Sequence, residues 1–312
     1  MKKLLALFLL TSTFLLGACG KGSEQVAEES QDLQVITTFY PMYEFTKEVV
    51  GDAGKVSLLI PAGTEPHDYE PSAKDMAKIM DADAFVYNSP ELETWVPTMT
   101  DSIDTDKTVV IEAAKEIDLA ENEDHGETEA EHGTDAHTHE LDPHVWTDPV
   151  MAIKEVETIR DQLSEKFPTQ AATFKKNAAA YIEQLNALDQ EYTAALKDAV
   201  NRTFVTQHAA FGYLAKQYDL VQESIAGLSP DQEPTPSRLA ELKEYVEDHQ
   251  VKVIYFEENA SSKVAETLAN ETGVELAVLN PLESLTEKQI SDGETYLTVM
   301  KENLQALQKS IK

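Results

Sequence analysis

The sequence predicts an α/β protein of two lobes joined by a long helix, and three observations predict it. Short β-branched or aromatic runs alternate with helix-like stretches in two separate blocks, the pattern of parallel sheets covered by helices. A stretch of helical periodicity without Pro or Gly separates the two blocks. The chain has 312 residues, 42% of them hydrophobic, which suffices for two ordinary domains with a core in each.

The elements follow in order. Lys2 and Lys3 precede an apolar run from Leu4 to Leu16, long enough for an export signal and short for a membrane span. Gly17 and Ala18 lead into Cys19, the only cysteine of the chain. A lone cysteine placed there resembles the lipobox of bacterial lipoproteins. That resemblance implies cleavage after residue 18 and a lipid-modified Cys19 at the extracytoplasmic face of a cell membrane, as on a Gram-positive surface. One cysteine forms no internal disulfide, so packing must supply the stability. Residues 19–32 are polar and free of hydrophobic pattern, a flexible tether.

An N-terminal lobe is expected over 33–168. "LQVITTF", "KVSLLI", "AFVYN" and "TVVIEA" read as its strands, and "PSAKDMAKIMDA" as a helix after the second. Within it, residues 121–140 carry four of the eight histidines and eight acidic residues, with no Lys or Arg. "TDPVMAIKEVETIRDQLSEKF" then reads as a helix that Pro168 ends. Residues 169–200 form the linking helix, with Phe174, Tyr181, Leu185, Leu188, Tyr192 and Leu196 at helical spacing. A C-terminal lobe follows over 201–312. Its strands are "TFVTQ", "LVQESI", "VKVIYFE" and "ELAVLN". Its helices are "PSRLAELKEYVEDH", "SSKVAETLANETG" with Gly273 as C-cap, and a closing helix over 286–310.

The charge balance is 25 basic against 57 acidic residues, a net −32. Such a chain repels phosphate backbones, which argues against nucleic acid as a partner. It attracts cations without saying which.

Four histidines lie outside the acidic segment. His249 sits at a helix end, where a helix C-terminal charge interaction accounts for it. His67 follows the strand "VSLLI", His144 precedes a helix in "LDPHVWTDP", and His208 directly follows "TFVTQ". A lone histidine at a strand end is more often structural than functional. Three at element ends, in an exported chain without a cysteine pair, also suit a Zn²⁺ site, because ligands of open α/β sheets bind beyond the strand ends. Glu283, just past the last strand, stands in the equivalent place. It could complete a tetrahedron or serve as the base of a hydrolase.

"GTEPHDYEPSAKD", "DPHVWTDP", "HAAFGYLA", "YFEENAS" and "NPLESL", in that order behind a lipobox, resemble the metal-binding solute-binding proteins of ABC transporters, the zinc/manganese cluster. The resemblance spans nearly the whole mature chain. It implies two Rossmann-like lobes on a rigid linking helix, with a metal site in the cleft between them. His67, His144, His208 and Glu283 would be the metal ligands and Zn²⁺ the transported ion, delivered by a monomer to a zinc permease with its cytoplasmic ATPase. Manganese members usually carry Glu third and Asp fourth, where this chain has His208 and Glu283. Three imidazoles with one carboxylate favour Zn²⁺, whereas Mn²⁺ prefers more oxygen. An acidic His-rich segment is also a feature of zinc members, so His125, His132, His137 and His139 would form a low-affinity collecting loop beside the tight site.

Metal-bound imidazoles usually donate their other N–H to a carboxylate or carbonyl. Asp68, Glu70, Asp142 and Asp148 are near enough to His67 or His144, although most such residues are caps or surface charges. Glu257 and Glu258 end a strand near the expected cleft. Trp146 and Phe211 read as packing beside the site. No H-E-x-x-H is present to support a zinc hydrolase, and no adhesion repeat marks an adhesin.

Overall fold

Residues 33–121, 141–232 and 234–311 are described by the computed structural model. Cys19, the leader, the tether and the loop histidines His125, His132, His137 and His139 lie outside the described residues.

Strands β1 (Leu33–Thr37), β2 (Gly54–Leu58), β3 (Ala84–Tyr87) and β4 (Val109–Glu112) form one parallel sheet in the order β2-β1-β3-β4. All four residues of β3 are buried, as expected for an inner strand of a sheet covered on both faces. Helices α1 (Tyr40–Val50), α2 (Ala73–Asp81) and α3 (Val96–Thr100) belong to this lobe. Ser72 starts α2 with a reciprocal cap: its side chain accepts from the Asp75 amide, and the Asp75 carboxylate accepts from the Ser72 amide.

Two helices then intervene, α4 (Pro149–Lys166) and α5 (Ala171–Leu196). Asp148 caps α4 by accepting from the Val150 N–H at 2.9 Å, and Pro149 opens it where a missing N–H costs nothing. The 26 residues of α5 extend about 39 Å at the α-helical rise. Phe174, Ala178, Tyr181, Leu185, Leu188, Tyr192 and Leu196 are its buried stripe.

Strands β5 (Thr203–Thr206), β6 (Val221–Ser224), β7 (Val253–Phe256) and β8 (Glu275–Val278) make a second parallel sheet in the order β6-β5-β7-β8. This repeats the topology of the first sheet without repeating its sequence. Around it lie α6 (Gly212–Gln217), α7 (Pro236–Asp248) and α8 (Lys263–Thr272). Gly273 ends α8 at φ 73°, a left-handed cap that glycine adopts without strain.

The chain closes with α9 (Glu287–Asp292) and α10 (Tyr296–Leu307), not with one helix over 286–310. Gly293 stops α9 at φ 83°, and Thr295 starts α10 with its own side-chain cap. The break lets α10 turn back onto α5, where the Tyr192 hydroxyl donates to the Met300 carbonyl at 2.6 Å.

One buried cluster runs without interruption from Val35 and Phe39, through Val156, Tyr181 and Leu188, to Phe204, Tyr255 and Met300. Both sheets therefore share a core with α4, α5 and α10. Smaller cores cover the outer faces, around Leu242 and Ile254 in one lobe and around Ile79 and Phe85 in the other.

Candidate metal centre

Parallel strands all deliver their following loops to the same edge of a sheet, and the two carboxyl edges face one cleft. The loop after β2 carries His67, and the segment entering α4 carries His144. His208 follows β5 by two residues, and Glu283 follows β8 by five. These four side chains meet, with one donor atom of each within 4.8 Å of all the others.

The spacing is closely matched. His67 Nε2 lies 3.2 Å from His144 Nε2, and Glu283 Oε1 lies 3.3, 3.2 and 3.1 Å from the Nε2 atoms of His67, His144 and His208. A tetrahedron with zinc–nitrogen bonds near 2.0–2.1 Å has edges of about 3.3–3.4 Å. Three imidazoles thus present Nε2, and a single carboxylate oxygen, to a volume the size of one small cation.

The remaining ring nitrogens of two histidines are held from behind. Asp142 Oδ1 lies 2.7 Å from His144 Nδ1, and Glu257 Oε1 lies 2.5 Å from His208 Nδ1. A carboxylate only accepts, so each Nδ1 carries a proton, and each Nε2 is the ring nitrogen that faces the centre. His144, His208 and Glu283 are buried, whereas the His67 side chain keeps 11% of its surface exposed.

Electrostatics follow from this crowding. Burial favours a neutral Glu283, but His208, His144 and His67 outweigh it and hold its carboxyl well below the usual range. Burial also pulls His208 toward neutrality, yet Glu257 and Glu283 hold its imidazole well above the usual value. His144 is raised in the same way: Asp142 and Glu283 overcome its burial. At His67 burial prevails over the pull of Glu283, and its imidazole is lowered. The carboxylates therefore favour positive charge on His208 and His144, and the imidazoles favour an ionised Glu283.

Other candidates find different places. Asp148 is the α4 cap, and Asp68 and Glu70 are exposed. Glu258 is exposed and accepts from Gln289 Nε2 at 3.2 Å. His249 ends α7, with its ring stacked on Tyr245 at 4.1 Å between centroids. Phe211 is buried at the start of α6. Trp146 packs beside the site, its ring 5.2 Å from that of His144.

One contributor escaped sequence reasoning. Glu65 Oε1 accepts from the His67 backbone N–H at 3.1 Å, just as Asp142 Oδ1 accepts from the His144 N–H at 2.9 Å. Burial, with the negative charge of Glu283, pushes Glu65 up to about 8. The signal was available: Glu65-Pro66-His67 and Asp142-Pro143-His144 are the same acid-Pro-His triplet. In each, a proline stiffens a turn whose acidic side chain fixes the amide two residues on.

The fold and site define a class: two-lobed α/β proteins with a cluster of three histidines and one carboxylate between the lobes. Residues 35–310 match the model of the family described as zinc-uptake complex component A, periplasmic, and the chain belongs to that family. The zinc-binding lipoprotein AdcA of Streptococcus pneumoniae is 53% identical over 310 residues, which are 99% of this chain and 61% of that protein. The high-affinity zinc uptake system protein ZnuA of Bacillus subtilis is 50% identical over 313 residues, 99% of this chain and 98% of that one. The chain thus spans about three-fifths of its streptococcal relatives. Among solved structures, the Zn(II)-bound ZnuA-like domain of S. pneumoniae AdcA superposes with a TM-score of 0.77 at 53% identity, covering 89% of this chain and 98% of that one. The laminin-binding protein of Streptococcus agalactiae superposes at 0.80 with 38% identity, covering 90% of this chain and 100% of that one.

Proposed function

We propose that this chain is the zinc receptor of an ABC uptake system. It takes up Zn²⁺ between its lobes on His67, His144, His208 and Glu283 and hands it to a membrane permease driven by a cytoplasmic ATPase. The observation that carries this reading is one carboxylate oxygen 3.1–3.3 Å from three Nε2 atoms drawn from both lobes, all four donors lying within 4.8 Å of one another. Membership of a zinc-uptake family supports it.

A receptor should fill every coordination position with protein, whereas a hydrolase keeps one open for water. Four converging donors suit the first role, so we read the chain as a binding protein and not an enzyme. The donor set also favours Zn²⁺ over Mn²⁺, which seeks more oxygen and more than four ligands. The receptor works as a monomer, tethered at the outer face of the membrane by lipid on Cys19, and its segment 121–140 gathers zinc weakly beside the tight site.

Competitive titration of the metal-stripped chain with Zn²⁺ and Mn²⁺ tests this. One tight zinc equivalent, lost in His208→Ala, is expected. Tighter manganese than zinc binding, or a tight site that survives His208→Ala, overturns the reading.

A further inference from the structure

Tyr213 stands on α6 in the C-terminal lobe, yet its hydroxyl serves the N-terminal one. It donates to the Asp142 carbonyl at 2.7 Å and accepts from the Ala120 amide at 2.8 Å. Ala120 and Asp142 are already joined, the Asp142 N–H donating to the Ala120 carbonyl at 2.8 Å. One buried hydroxyl from the opposite lobe thus closes a three-membered network around the peptide of Asp142. The ring packs in a small core with Ala114, Ile117 and Val145, all N-terminal-lobe residues.

Asp142 is the residue that fixes His144. The same Oδ1 takes the His144 backbone N–H at 2.9 Å and lies 2.7 Å from its Nδ1. Its other oxygen presses on α6: a Cβ added at Gly212 would sit 3.0 Å from Asp142 Oδ2. Tyr213 holds the Asp142 backbone, then, and the neighbouring glycine leaves just enough room for its carboxylate. Neither residue is among the four clustered donors.

We propose that Tyr213 is a positioning residue for metal retention, which orients His144 through Asp142 from the opposite lobe. This rests on the reading of the site as a zinc centre. An imidazole aimed by a fixed carboxylate keeps its lone pair on the ion, while a loosened one lets the ion escape sooner. A net hydrogen bond changes an equilibrium roughly 2- to 12-fold. Because Tyr213 acts one residue behind the ligand's partner, the effect should fall on zinc dissociation and leave association nearly unchanged.

Zinc dissociation from the loaded full chain is followed by capture in excess chromogenic chelator, with thermal unfolding of the metal-free chain alongside. Tyr213→Phe should release zinc about 5- to 10-fold faster. Gly212→Ala, which crowds Asp142 Oδ2 without touching the hydroxyl, should change the rate in the same direction. Tyr192→Phe removes another buried hydroxyl, remote from Asp142, and should lower the unfolding midpoint without changing zinc release. In an Asp142→Ala background, which keeps the four donors and removes the carboxylate behind His144, Tyr213→Phe should have no further effect. Zinc release at the wild-type rate from Tyr213→Phe, or equal acceleration with and without the Asp142 carboxylate, overturns the proposal. Wild-type protein that holds no zinc instead sinks the receptor reading itself.

Discussion

The indole N–H of Trp146 donates to the carbonyl of Pro281 at 2.7 Å. Trp146 lies two residues after His144 and Pro281 two before Glu283, so the bond joins the two lobes between their ligands. The Trp146 carbonyl in turn accepts from the Tyr296 hydroxyl at 2.7 Å, and Phe39 meets the ring edge-on at 4.7 Å. The Gly63 N–H adds a third crossing, to Ser284 Oγ at 2.7 Å. Hydrogen bonds thus join the loops that carry the candidate donors of the two lobes.

Trp146→Phe keeps a ring in place but removes the N–H. The Pro281 carbonyl is left buried without its donor, which costs about 1–3 kcal/mol. Urea unfolding of the metal-free chain should show that loss, with zinc affinity falling as well. An unchanged midpoint would mean that the crossing contributes nothing.

Glu257→Gln should weaken zinc binding about 10- to 100-fold by releasing the His208 ring. Glu258→Gln, one residue on and facing Gln289, should leave affinity as it is. Isothermal titration of both variants separates the orienting carboxylate from plain negative charge, since equal losses would assign the effect to charge alone.

Zinc binding should release protons at neutral pH. The His208 imidazole is held well above its usual value by Glu257 and Glu283 against the opposing effect of burial, so it is charged in the metal-free chain. A metal displaces that proton. Net proton release is expected near pH 7, and affinity should then fall as pH is lowered. Titrations in buffers of different ionisation enthalpy count the protons directly; no release at pH 7 would contradict the charge state of the site. The stability of the metal-free chain has the opposite sense. The His208 contribution is complete below the pKa of free imidazole and is lost as pH rises through the raised value.

Glu155→Gln should stabilise the chain at neutral pH. Both carboxylate oxygens of Glu155 are buried without a partner among the described residues, and burial, with Glu93 nearby, raises its pKa well above the usual value. Glu93 itself is pushed up to about 7 by burial. A raised carboxyl takes up a proton on folding. The wild type therefore loses stability as pH rises above the free value of about 4.3. A glutamine carries no such penalty, so the variant should gain stability at pH 8 and none at pH 4. Thermal midpoints across that range decide it; a gain that does not vary with pH would assign the effect to packing.

Deletion of residues 121–140 should leave the tight zinc equivalent in place and remove only weaker ones. The roots of that segment are already paired, through the Asp142 N–H on the Ala120 carbonyl and Tyr213 on both. A two-residue Asn-Gly turn can close the gap. Loss of the tight equivalent would place the essential donors among His125, His132, His137 and His139.

The eight strands among the described residues were legible as β-branched or aromatic runs, most clearly the inner β3, β5 and β7, since a strand inside a covered parallel sheet needs apolar side chains on both faces. The long helix was legible because its stripe recurs every three or four residues over its whole length. The division of the last helix was not read, although Gly293 and the cap at Thr295 signal it, since an apolar stripe masks a local stop. The orienting role of Asp142 and Glu257 was legible as a short list of nearby acids. Which acids face a ring and which face solvent depends on a rotamer and a neighbour, and neither is written in spacing.

The sequence by itself determined the elements, their order, and the histidines and the glutamate placed at element ends. These depend on side-chain periodicity and turn chemistry over a few residues. Only the tertiary structure decided that four donors stand 3.1–3.3 Å from their neighbours, and that Trp146, Tyr213 and Gly63 tie one lobe to the other. Those contacts join residues separated by 71, 135 or 221 positions. Their geometry comes from how α4, α5 and α10 pack both sheets onto one core, and no local pattern encodes an interaction over that distance.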